Sequence, residues 1–152
     1  MLGNMFTITK EITITDIVIN ITKTLKFIDV KSGWYISYFF MTEAGYGYNV
    51  KIYDEDTQEV YAQWTKPDDG DSEIDKYDGK SFKYMGTDGR LVCTVDCPES
   101  SHLDNSWSEG SIQPSSGTPI LGRTYCAAFE DFGGSIDYND FFVCLVAWSH
   151  EG

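Results

Sequence analysis

Short runs rich in Ile, Val, Thr, Tyr and Phe recur along the whole chain, each closed by turn-forming residues. No stretch sustains a 3.6-residue apolar period over a dozen positions. This pattern admits strands and disfavours helices, because β-branched and aromatic side chains suit a pleated, half-buried surface. Glu11-Ile12-Thr13-Ile14-Thr15 alternates cleanly. Ile17, Ile19 and Ile21 alternate in the opposite phase, so Asp16 is expected to mark a turn or bulge. Further strands are expected over residues 25–30, 34–41, 48–53, 59–64, 81–85, 90–96, 124–129 and 141–148. Ser32-Gly33, Asp69-Gly70, Asp78-Gly79 and Asp88-Gly89 supply turns, and Asp88-Gly89 reads as a tight hairpin. The acidic stretch 66–78 reads as a solvated loop. Residues 98–119, rich in Ser, Gly and Pro, read as an extended connection holding one short strand. The chain is therefore expected to be all-β: one antiparallel β-sandwich domain of about eight to ten strands.

Composition narrows the partners. The chain has 152 residues, enough to bury a core without disulfides. Its 24 acidic and 11 basic residues leave a formal net charge of −13. Nucleic acid and anionic lipid are poor partners for such a surface. No apolar run reaches the 18 or more residues of a membrane span, so no membrane insertion is expected. The first eleven residues lack a basic n-region followed by an apolar core. The expectation is a chain cytoplasmic as synthesised, exported without a conventional signal peptide, or seen without its leader. Cys93 and Cys97 lie too far apart along one extended strand to bridge. Cys126 and Cys144 flank Ser135 symmetrically and could face each other in a hairpin, either as buried free thiols or as a cross-strand disulfide. A zinc site from Cys93, Cys97, His102 or His150 lacks a second tight ligand pair.

Between two of the expected strands lies Glu130-Asp131-Phe132-Gly133-Gly134-Ser135-Ile136-Asp137-Tyr138-Asn139-Asp140, which carries four carboxylates and an amide and no Lys, Arg or His. Carboxylates crowded into one turn repel each other unless a cation joins them. Calcium, a hard ion taking 6–8 oxygen ligands, is the natural candidate. Two neighbouring calcium ions would need shared carboxylates, and Asp137 and Asp140 on a tight loop can bridge them. Coordination left open by the protein could be filled by vicinal hydroxyls of a sugar in place of water. Bound charge strengthens such contacts beyond neutral hydrogen bonds.

Glu130-Asp131, then Asp137-Tyr138-Asn139-Asp140, then an apolar run, Trp148 and a terminal Gly152 together resemble the bacterial calcium-dependent lectins that bind fucose and mannose. The close match is confined to the end of the chain. A looser correspondence of strand lengths reaches back to about Trp34. Members of that family are shorter, which makes residues 1–30 an N-terminal extension or extra strands. The resemblance implies one or two calcium ions held by Asp137, Asn139 and Asp140, with Glu130 on the outer ion. It implies that Asp131 touches the sugar and that the Gly152 carboxylate reaches a neighbouring subunit's site. Met41-Thr42-Glu43-Ala44 aligns with the loop that supplies one main-chain calcium ligand, at Met41, and sets sugar preference through Thr42, Glu43 and Ala44. There are three departures from the family pattern. The loop from Glu130 to Asp137 is one residue longer, Ser135 stands where the family has another aspartate ligand, and the last strand is two residues longer.

Other chemistry is sparse. Trp34, Trp64, Trp107 and Trp148 could stack on sugar rings, but three lie in strand-like runs, which leaves Trp107 as the exposed candidate. Asn20-Ile21-Thr22 matches a glycosylation sequon by pattern only. No nucleophile arrangement accompanies His102 and His150, and no phosphate-cradling glycine loop is present. The chain therefore reads as a non-enzymatic lectin, fucose- or mannose-type by default. Weak single sites imply a homo-oligomer, most simply a dimer through the C-terminal strand. Its rival is a calcium-stabilised structural or assembly protein with no sugar ligand.

Overall fold

The computed structural model describes residues 21–70, 73–77 and 79–150, with backbone alone at 75–77. Within them are ten strands and no helix. The strands are β1 (Thr22–Lys26), β2 (Tyr35–Thr42), β3 (Tyr48–Asp54), β4 (Val60–Lys66), β5 (Asp75–Tyr77), β6 (Ser81–Lys83), β7 (Leu91–Asp96), β8 (Leu103–Ile112), β9 (Gly122–Asp131) and β10 (Phe141–Trp148). They form two antiparallel sheets. A four-stranded sheet runs β1-β7-β3-β4, and a six-stranded one runs β5-β2-β10-β9-β8, with β6 also pairing β2.

The alternation visible in the sequence is what faces the two sheets together. In β2, Ile36, Tyr38, Phe40 and Thr42 are buried. In β10, Phe141, Val143, Leu145 and Ala147 are buried. From the opposite sheet come Tyr48, Val50 and Ile52 of β3, Leu91, Cys93 and Val95 of β7, and Leu25 of β1. Each large apolar side chain so placed stabilises the fold by about 1.5–3 kcal/mol. An aromatic row crosses the core near one end: Phe40 stacks with Trp64 at 6.1 Å, and Tyr48 stacks with Phe141 at 4.7 Å.

Three sequence expectations are corrected. Asp88-Gly89 does not close a hairpin, because β6 pairs β2 in one sheet while β7 belongs to the other. The turn (Gly89 φ +71°) carries the chain across the sandwich instead. The stretch 98–119 holds a ten-residue strand, β8, paired along its length with β9. Its Ser-rich sequence obscured it, since an edge strand needs little apolar content. The acidic stretch 66–78 includes β5, and the edge is broken at Gly79 rather than turned. A Cβ at Gly79 would stand 1.5 Å from the Tyr38 carbonyl oxygen, so only glycine lets the backbone approach there. Strand β1 begins three residues before the expected strand, and Phe27 and Val30 beyond it are fully buried. The alternation of residues 11–19, the turn at Asp16, Asn20 of the sequon and Gly152 lie outside the described residues. No helix among the described residues is long and apolar enough to cross a membrane.

Candidate functional site

Three connections meet at one end of the sandwich: the β2–β3 crossing (residues 43–47), the start of the β4–β5 crossing (67–70) and the β9–β10 hairpin tip (132–140). They enclose an open pocket of about 350 Å³ lined by Glu43, Ala44, Tyr46, Asp68, Asp131 and Asp140 with neighbouring backbone. The Gly70 N–H donates to the Gly45 carbonyl at 3.2 Å, tying two of these loops together. A second hollow on the other side of the tip, about 400 Å³, is lined by His102, Glu130 and Ile136 among others.

The hairpin tip is held by its own carboxylates. Glu130, at the end of β9 and buried, accepts from the backbone N–H groups of Asp137 (3.1 Å) and Tyr138 (2.8 Å) through Oε2. Tyr138 adopts φ +54°, a left-handed conformation that costs a bulky residue about 1–2 kcal/mol and persists only where surroundings impose it. Gly133 and Gly134, at φ +118° and +85°, turn the loop where a side chain would be strained. Asp140 Oδ2 accepts from the Asp131 N–H at 2.7 Å. Asp131 in turn accepts through Oδ2 from the buried Tyr48 hydroxyl at 2.7 Å. The Phe132 N–H donates to Ser100 Oγ at 2.9 Å, anchoring the loop to the β7–β8 connection.

The segment 41–44 meets this tip. Thr42 Oγ1 donates to the Asp140 carbonyl at 2.8 Å, the Glu43 N–H donates to the same oxygen at 3.0 Å, and the Ala44 N–H donates to Thr42 Oγ1 at 3.2 Å. Register explains the meeting, since Thr42 stands opposite Phe141 on adjacent strands. Met41 and Thr42 differ from expectation: both lie within β2, Met41 paired with Phe142 and Lys76 and Thr42 with Phe141 and Asp75, rather than in the loop. Ser135 and Asp137 are exposed on the tip, and Asn139 is half-buried. Asp68, Tyr46 and Ser100 were not anticipated as site residues. Asp68 is exposed, as the solvated reading of the acidic stretch expects, but nothing local signals that its loop lines the same pocket as Asp131.

Burial and neighbouring carboxylates both act against ionisation of Asp131 and Asp140. Burial pushes the Asp131 carboxyl up; the Tyr48 hydrogen bond opposes this, and the charges of Asp140 and Glu130 add to it, leaving it at about 6. Asp140 is also raised, by burial first and by Glu130 and Asp137 among its neighbours. Like charges held close disfavour ionisation. A hard cation would relieve that repulsion, and carboxylate and amide oxygens are the donors calcium takes. The donor types therefore fit. As placed, however, no three His, Cys, Asp or Glu side chains among the described residues converge to cage a metal ion. Carbonyl, amide and water oxygens would have to complete the coordination. The nearby buried Lys66 is engaged by the Pro67 carbonyl and by Asp69 at 3.1 Å.

The fold is shared with solved bacterial lectins. A Chromobacterium violaceum lectin in complex with α-methyl-fucoside superimposes with a TM-score of 0.53 at 17% identity, covering 82% of this chain and 93% of that one. The Ralstonia solanacearum high-affinity mannose-binding lectin gives 0.52 at 14%, covering 82% and 93%. The C-terminal domain of a Burkholderia cenocepacia lectin gives 0.53 at 17%, covering 84% and 96%. No protein-family model matches the sequence, and no curated protein matches it.

Proposed function

We propose that the chain is a calcium-dependent carbohydrate-binding protein whose site is the end of the sandwich around the β9–β10 tip. The observation that carries this reading is geometric: Asp131 and Asp140 line one open pocket with Glu43 and Ala44, Asp140 Oδ2 accepts from the Asp131 N–H at 2.7 Å, and Glu130 adjoins them at the end of β9. The fold likeness to solved lectins supports it. In this reading Glu130, Asp137, Asn139 and Asp140 hold the ion, with Ser135 beside them, and Asp131, Glu43 and Ala44 face the sugar; Thr42, expected there too, is fully buried and acts from behind on the Asp140 carbonyl. Bound calcium would supply fixed positive charge and open coordination to vicinal hydroxyls.

The chain's own residues do the positioning. Tyr48 holds Asp131 from beneath, Glu130 pins the backbone of residues 137–138, and Thr42 and Glu43 clamp the Asp140 carbonyl. Sugar class is fucose- or mannose-type by the sequence resemblance. Binding is without turnover, and several sites in a homo-oligomer would raise avidity. Such an assembly does not form by edge pairing of the C-terminal strand, because β10 lies between β2 and β9 and both its edges are taken.

Glycan-array binding tests the reading. Fucosides or mannosides are expected to bind with calcium and to be lost with chelator and in Asp137→Ala. A chelator that lowers the melting temperature while no glycan binds would favour a calcium-stabilised structural protein.

A further inference from the structure

On the outer face of the six-stranded sheet, Cys126 of β9 and Cys144 of β10 stand opposite each other in the register, with their Sγ atoms 3.3 Å apart. Both are free thiols; Cys126 is exposed and Cys144 half-buried. Their approach is set by two paired strands rather than by a flexible loop, so the contact is held in place. The flanking cross-strand positions are Phe39 on β2, opposite Cys144, and Ser108 on β8, opposite Cys126. Neither is charged, so neither repels an incoming anion or forms an ion pair with a thiolate. The other two cysteines differ. Cys93 and Cys97 are fully buried in the core, out of reach of a reagent in the folded chain. Burial pushes both thiols up, as burial and the Cys126 neighbour push the half-buried Cys144 to about 12, so access and not acidity separates the two pairs.

We propose that Cys126 and Cys144 form a solvent-accessible dithiol that small-molecule disulfides oxidise to a cross-strand disulfide. Cys126, the exposed member, loses its proton and attacks one sulfur of the reagent. The reagent's S–S bond breaks, and one thiolate leaves and takes up a proton. Cys144 then loses its proton and attacks the Cys126 sulfur of the mixed disulfide, releasing the second reagent thiol. Two protein thiols are oxidised by two electrons, and one reagent disulfide is reduced to two thiols. Each cysteine sits four residues from the tip carboxylates Glu130 and Asp140, about 13 Å along its strand. The bond would staple the two strands that carry the candidate site.

The test is to incubate the reduced full chain with oxidised glutathione, block remaining thiols by alkylation, and read intact mass and peptide maps. The native chain is expected to lose two alkylatable thiols, retain no glutathione and yield a Cys126–Cys144 linked peptide. Cys144→Ser is expected to stop with one glutathione on Cys126, and Cys126→Ser to form no link. Cys93 and Cys97 staying unreactive until denaturant is added verifies that each variant is folded. An unchanged thiol count, glutathione held stably on native Cys126, or a link through Cys93 or Cys97 would each overturn the proposal.

Discussion

Asp54 shows how much a single buried carboxylate can organise. Its Oδ1 accepts the N–H groups of Asp56 (2.8 Å) and Thr57 (2.7 Å), and its Oδ2 accepts the Thr87 N–H (2.7 Å) and the Tyr84 hydroxyl. Burial alone would raise its pKa, but these hydrogen bonds outweigh burial and hold it at about 2. An unfolded aspartate titrates at about 3.9, so the folded chain binds fewer protons here. The resulting stability is present above about pH 4 and is lost as pH falls toward 2. Asp54→Asn is expected to cost about 2–3 kcal/mol at pH 7, as an ionised acceptor is lost among buried donors. The variant's denaturant midpoint is also expected to vary less between pH 4 and 2. A variant with the native midpoint at pH 7 would remove this account. Nothing in the sequence marks Asp54 among 24 acidic residues, because two of its partners come from a loop thirty residues on.

The β9–β10 hairpin is the element that carries both fold and candidate site. Two of its four carboxylates, Glu130 and Asp137, have separable roles. Glu130→Ala leaves the Asp137 and Tyr138 N–H groups without their acceptor and loosens the left-handed turn. The expected cost is about 1–3 kcal/mol. Asp137 is exposed, and with calcium absent Asp137→Ala is expected to change stability by no more than about 0.5 kcal/mol. Both variants are expected to lose calcium uptake by calorimetry. Equal destabilisation by the two would contradict a backbone-holding role for Glu130 in addition to its place in the ion site. Strand alternation made β9 and β10 legible in advance. The mainly polar β8 and the crossing at Asp88-Gly89 were not, because edge pairing and sheet crossing leave no periodic trace.

Across the whole molecule, calcium binding to the folded state alone would raise stability with the logarithm of free ion. The gain is about 2.7 kcal/mol at one hundred times the dissociation constant. The thermal midpoint is therefore expected to climb through a calcium titration and to return on adding chelator. A midpoint indifferent to millimolar calcium would leave the acidic tip without a counter-ion role. The amino-acid order settles the strand class, the sandwich and the acidic hairpin, because alternation and carboxylate crowding are local properties of adjacent residues. It lets Cys126 face Cys144 across one hairpin, but it does not bring Asp68, Tyr46 and Tyr48 to the end of the sandwich that holds Asp131. Those neighbours come from strands and loops far apart in the chain, and only the pairing of strands within each sheet and the stacking of the two sheets bring them together.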